Sequence, residues 1–163
     1  MINQQLDETD FGILELLQKD ALISHKELAH RLNKSITPIH LRIRKLLEEG
    51  FIKRFTAIVD AKKIGRGLIA YTQVQVKQHS QESLMNFQKE VIKLNEVMEC
   101  YHMTGNFDFL LKIAIRDMDE YNQVLMVKLA KLPDVGNMQS FFVMSEAKNE
   151  TAYPLNIPRI SDR

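Results

Sequence analysis

The chain has 163 residues, 45% hydrophobic and 26% charged, and ordinary globular composition. It is long enough to bury about two-thirds of its unfolded surface in one or two domains. Clean apolar runs such as Phe141–Met144 reach only four residues, far below the ~20 needed to span a membrane. The opening Met1–Gln5 has neither the basic start nor the apolar stretch of a signal peptide, so a cytoplasmic protein is expected. A lone Cys100 excludes an internal disulfide and a cysteine-based zinc finger. Net charge is only +1, but residues 24–66 hold eleven cations against four anions. That segment is therefore +7 and the remainder −6. One strongly basic third in a near-neutral chain points to a module that binds a polyanion.

Leu6-Asp7-Glu8-Thr9-Asp10-Phe11 reads as a helix start. Asp7 caps free N–H groups, Asp10 favours the positive end of the dipole, and Leu6 with Phe11 has staple spacing. Ile13, Leu14 and Leu17 mark one buried face. Ser24 and Glu27 form a capping box for a short second helix, broken at Leu32-Asn33-Lys34. Ser35 or Thr37 caps a third helix, with Pro38 in its first turn and Gly50 at its end. Its buried stripe is Ile36, Ile39, Ile43, Leu46 and Leu47. Residues 51–59 are β-prone and of a length for a small strand or hairpin. Helix, short helix, turn, helix and β wing make a winged helix-turn-helix.

Residues 60–67, DAKKIGRG, read as the end of the module and a linker. Leu68, Ala70, Thr72, Val74 and Val76 then alternate with polar or opposite-facing residues as a half-buried strand. Leu84, Phe87, Val91 and Leu94 have helical spacing. Val97–Thr104 and Phe107–Ile115 read as strands joined by a two-residue Gly105-Asn106 turn. Tyr121, Val124, Leu125, Leu129 and Leu132 mark another helix, closed by Pro133, and Met138–Met144 a last strand. The β-α-β-β-α-β order folds as a ferredoxin-like four-stranded antiparallel sheet with both helices on one face. The fold class is thus α+β: a winged helix-turn-helix over residues 1–60, a linker over 61–67, the sheet domain over 68–150 and an irregular tail over 151–163. The uncovered sheet face, with Ile69 and Tyr71, calls for a partner. Seven of the eight methionines lie beyond residue 67, where they suit adaptable contacts or fill the core.

At 100° per residue, Ile36, Ile39, Ile43 and Leu46 point inward on the third helix. Thr37, Leu41 and Arg44 point outward, flanked by His40 and Lys45. Such a face suits the major groove, where Arg bonds guanine bidentately and Thr or Leu meets a thymine methyl. Lys34, Arg42, Lys53 and Arg54 suit phosphates, and Ser35 at the helix N-terminus can add one such contact. The five histidines show no metal-ligand spacing. Cys100 and His102 share a strand face but lack an orienting third group, so a buried thiol and a polar strand histidine are the plainer reading. At the hairpin tip, backbone N–H groups can hold a carboxylate and Asp108 can accept from an ammonium. Those are the two ends of an amino acid, although an ordinary polar turn has the same composition.

Two stretches resemble the Lrp/AsnC (feast/famine) transcriptional regulators. Leu6-Asp7…Asp10…Ile13-Leu14, Glu27-Leu28-Ala29 and Ser35…Arg42-Ile43-Arg44-Lys45-Leu46…Gly50-Phe51-Ile52 resemble their DNA-binding domain. Glu99-Cys100…Thr104-Gly105-Asn106-Phe107-Asp108-Phe109-Leu110-Leu111-Lys112 resembles their effector-binding domain, and the match extends through Asp117-Met118…Tyr121 and Leu132-Pro133-Asp134-Val135. The resemblance implies duplex DNA binding by paired N-terminal domains and a homodimer built from the sheet domain, assembled to a tetramer or octamer. It also implies a small effector, typically an amino acid, bound near the hairpin where dimers meet. By position, Thr104, Gly105, Asn106 and Asp108 line that site, with His102 and, across the interface, Ser140. The family usually has Asp where this chain has Asn106, which bears on the ligand's identity. No cofactor or metal is called for. The rival readings are a sirohaem decarboxylase-like enzyme on the same architecture and an architectural DNA-binding protein with no effector.

Overall fold

The computed structural model describes residues 6–155. Clustering of contacts divides the chain into two compact units. The first takes in the described residues up to Ile58 and those from Lys148 onward, the second Val59–Ala147.

The first unit is three helices on a small core. In α1 (Glu8–Lys19), Asp7 accepts from the Asp10 N–H at 2.9 Å while the Asp10 carboxylate accepts from the Asp7 N–H at 3.2 Å. This reciprocal cap satisfies two otherwise orphaned donors. In α2 (His25–Arg31), Ser24 accepts from the Glu27 N–H at 3.1 Å. The returning half of that box is not made, because the Glu27 carboxylate turns to Arg31 at 2.7 Å. Asn33 takes the left-handed conformation, φ 51°, in the turn before α3 (Ile36–Glu48). Ser35 is the N-cap of α3, but its side chain makes no cap hydrogen bond. Gly50, at φ 78°, ends that segment. Ile39, Ile43 and Leu46 join Ile13, Leu28 and Ala29 in the core. The expected stripe is too wide: Ile36 is 49% and Leu47 37% exposed. Two short helices cover a narrower arc of α3 than its apolar residues span.

The β wing is also corrected. Phe51 and Ile52 pack on the core, and the Ile52 N–H bonds the Leu46 carbonyl at 3.0 Å. Residues 53–59 then run without entering a ladder, with Phe55, Ile58 and Val59 exposed. β-propensity does not make a strand unless a second strand takes up its N–H and C=O groups. The tail's described part is irregular, and the Gln18 side chain pairs with both backbone groups of Tyr153, at 2.7 and 3.2 Å.

The second unit is an antiparallel sheet in the order β2-β3-β1-β4, formed by β1 (Leu68–Val76), β2 (Val97–His102), β3 (Phe109–Ile115) and β4 (Val135–Phe142). Helices α4 (Gln81–Val91) and α5 (Met118–Gln123) complete it. Ala70, Val74 and Val76 of β1 and Phe109, Leu111, Ile113 and Ile115 of β3 pack with Phe87, Val91, Tyr121 and Val124. The rings of Phe87 and Phe109 lie 4.7 Å apart. Phe87→Ala is expected to cost about 3–5 kcal/mol through the cavity it leaves, read as a lower urea midpoint for the sheet unit.

Several expected boundaries move. β4 begins at Val135, paired with Val76, and stops before Met144, which is almost wholly exposed. The last helix is not uniform: α5 widens into a π turn over Val124–Lys128 and tightens into a 3₁₀ turn over Leu129–Lys131. The pitch changes let Val124 and Leu129 both reach the core. β2 and β3 end earlier than expected, since the last bond between them is the Met103 N–H to the Asp108 carbonyl, at 2.8 Å. The connection is therefore the four residues 104–107 and not a two-residue turn.

The face of the sheet away from the helices carries Tyr71 opposite Lys112 and Phe141, and Leu110 opposite Tyr101. Phe141 is about half exposed. Lys112 and Glu99 pair at 3.0 Å across it, and Tyr101 donates to Glu99 at 2.8 Å. Burial raises the Glu99 carboxyl, but the bonds from Lys112 and Tyr101 outweigh it and hold its pKa low. The same bond to Glu99 raises Lys112.

Candidate functional site

Helix α3 presents two unlike sides. One is the buried Ile39-Ile43-Leu46 stripe, and the other exposes Thr37, His40, Leu41, Arg44 and Lys45. Lys34 and Ser35 are exposed just before it, and Lys53 and Arg54 just after Ile52. Arg44 reaches back to Glu48 at 2.7 Å and Lys45 to Glu49 at 3.7 Å. Both are solvated i,i+4 pairs, worth about 0.3–0.5 kcal/mol, so they yield readily to a better anion. The ring of His25, at the start of α2, lies 5.2 Å from that of His40. It adds an imidazole to the exposed face that reading α3 alone misses.

Arg42 departs from its expected phosphate role. Its guanidinium lies 2.7 Å from both Asp7 and Asp10, the pair that caps α1. Asp10 is buried, and its hydrogen bond, with that of Asp7, raises the Arg42 pKa against partial desolvation. Partial burial pushes Asp7 upward. The Asp10 N–H and Arg42 outweigh it, so Asp7 lies below its ordinary value of 3.8. Here Arg42 fastens α1 to α3.

At the far end of the sheet unit, the loop between β2 and β3 walls a cavity of about 290 Å³. Thr104 and Asn106, both expected there, line it. So do Gln73 of β1, Met103, Phe107 and Leu110, which the sequence reading missed. Nothing local marks Gln73, since only the strand register brings it beside Leu110. Gly105 turns the loop at φ 115°, a conformation that L side chains rarely adopt. His102 stacks on Phe109, with centroids 5.2 Å apart.

Two expected effector residues are placed elsewhere. Asp108 is 5% exposed, and its carboxylate accepts from the Val76 N–H at 2.8 Å and lies 3.0 Å from His79 Nδ1. It ties the loop to the end of β1 instead of facing an ammonium. Ser140 lies on β4, across β1 from β3, bonded at 3.1 Å to Thr72 and in a short contact with the Tyr121 hydroxyl. Within one chain it is not beside the loop. Cys100 is half-buried against the core, and burial raises its thiol pKa, the opposite of an activated nucleophile.

These two sites coincide with two matched family models. A winged helix-turn-helix DNA-binding model covers residues 6–53, and the Lrp/AsnC ligand binding domain covers residues 69–153. The proline dehydrogenase transcriptional activator of Rhizobium radiobacter is 37% identical, over 88% of this chain and 92% of its own. The transcriptional regulator AzlB of Bacillus subtilis strain 168 is 35% identical, over 93% and 96%. A Neisseria meningitidis transcriptional regulator, solved as its L-Met complex, superposes with a TM-score of 0.88 at 30% identity, over 93% of this chain and 98% of its own. The architecture, the placement of both sites and these likenesses along nearly the whole length agree: this chain belongs to the Lrp/AsnC family of transcriptional regulators.

Proposed function

We propose that this regulator reads duplex DNA with the exposed face of α3 and takes an amino acid in the cavity beside residues 104–107. The observation that carries the DNA reading is the two-sidedness of α3. Ile39 and Leu46 are almost fully buried while Leu41, between them, is 57% exposed beside Arg44 and Lys45. A side chain as apolar as leucine on a basic exposed face suits a thymine methyl, and the arginine suits guanine. Lys34, Ser35, Lys53 and Arg54 supply phosphate contacts around it. The L-Met complex of the Neisseria relative supports an amino-acid effector for this chain. The sheet face with Tyr71, Leu110 and Phe141 pairs two copies, and further assembly gives a tetramer or octamer. Effector binding shifts the balance between assemblies that hold DNA differently. The protein acts in the cytoplasm as a regulator, without a catalytic step of its own.

The test is fluorescence anisotropy of the full chain on a duplex from its own gene's upstream region, with and without pooled amino acids. Binding that weakens as salt rises, and that shifts with the pool, is the expected result. Salt-insensitive or absent binding would refute the DNA reading. Salt-sensitive binding blind to every amino acid would leave an architectural protein instead.

A further inference from the structure

The cavity beside the β2–β3 loop is neutral. Met103, Phe107 and Leu110 give it apolar walls, and its polar groups are the Thr104 hydroxyl and the amides of Asn106 and Gln73. The single carboxylate within residues 103–108 belongs to Asp108, and it is turned inward. The Val76 N–H bonds it at 2.8 Å, His79 Nδ1 lies at 3.0 Å, and the Asp108 backbone bonds Val74 and Met103. Four attachments leave that carboxylate no freedom to swing into the cavity. No lysine or arginine lines it either.

From this we infer that the cavity selects an amino acid with an uncharged, predominantly apolar side chain, and that Asn106 and Gln73 set this class. The inference rests on the effector reading above and narrows it. The ligand's own ammonium and carboxylate are small, fixed charges that backbone carbonyls, N–H groups and the two amides can solvate. Its side chain must lie along Met103, Phe107 and Leu110. An aspartate, glutamate, lysine or arginine side chain would lose water there without meeting a counter-charge, a penalty that lowers affinity directly. An apolar side chain gains by the same burial, and the flexible thioether of Met103 can adapt to its shape. A volume near the lower end for ligand pockets fits a single small metabolite. Asn106 is the sensitive position, because it differs from a carboxylate by one atom. With Asp there, the cavity would favour a cationic side chain.

Isothermal titration calorimetry of the full chain against leucine, methionine, isoleucine, phenylalanine, aspartate, glutamate, lysine and arginine tests this. The apolar ligands are expected to bind at least tenfold more tightly than any charged one. In Asn106→Asp, and independently in Gln73→Glu, the preference for leucine over lysine should narrow at least fivefold, with folding checked by circular dichroism. A charged amino acid that outbinds all the apolar ones overturns the class. An unchanged leucine-to-lysine ratio in both folded variants overturns the assignment of Asn106 and Gln73. If DNA binding is intact and no amino acid binds at all, the effector reading falls, and this inference with it.

Discussion

Replacing Arg44 and Lys45 together by alanine is expected to weaken binding to the cognate duplex by one to three orders of magnitude, while leaving the thermal midpoint almost unchanged. Both side chains are well exposed, and each contacts only a solvated glutamate on its own helix. Their removal therefore costs the fold a few tenths of a kcal/mol. On DNA the losses are larger. A bidentate arginine–guanine contact contributes about 1–3 kcal/mol of discrimination, and a lysine on a phosphate adds a salt-dependent increment. Anisotropy across a salt series separates the two effects. Loss of a phosphate contact reduces the log–log slope by about 0.9, whereas loss of a base contact shifts the line and relaxes sequence preference. If affinity, slope and preference all stay at their original values, α3 is not the reading element.

Arg42→Ala should do the reverse, damaging stability before recognition. It would leave the Asp7 and Asp10 carboxylates side by side with no cation, and Asp10 is buried. Hydrogen bonds to charged groups contribute about 1.5–3 kcal/mol each, and Arg42 is itself about one-third exposed, so a loss of about 2–3 kcal/mol is expected. Urea unfolding of the variant checks it. The pH dependence carries the same signature. Asp7 has a folded pKa below its ordinary 3.8, so its contribution is complete above the unfolded value and is lost as pH falls through the folded one. The variant should therefore lose less stability than the natural protein as pH is lowered below about 4. A phosphate ligand at this position would give the opposite pattern, with unchanged unfolding and a shallower salt slope.

These two arginines, two residues apart on one helix, also show where local reading works. The outward direction of Arg44 follows from 100° per residue, because its position depends only on the helix and its buried side. The role of Arg42 depends on partners 32 and 35 residues away, brought close by the packing of α1 on α3. The caps at Asp7 and Ser24 were legible for the same reason that Arg44 was, being formed within three residues. Glu27 was misread because a helical neighbour, Arg31, competes for it. In the sheet unit, alternation located β1 and marked Ala70, Thr72, Val74 and Val76 as its inward side. It could not show that the hairpin connection would be four residues long, or that Asp108 would be drawn inward by the free N–H of Val76.

The sequence by itself therefore determined the order of elements, the basic exposed face of α3 and the loop beside which a ligand can sit. Each rests on periodicity, caps or charge within a few residues. Tertiary structure alone decided which apolar residues of α3 are covered, that residues 53–59 stay out of any ladder, and that the helix after Asp117 changes pitch. It also decided the chemistry of the cavity. Strand register sets Gln73 beside Leu110, and a buried backbone donor holds the Asp108 carboxylate away from the space its place in the loop suggested. A backbone group removed from water must find a partner, and which side chain supplies it is settled only when distant segments meet.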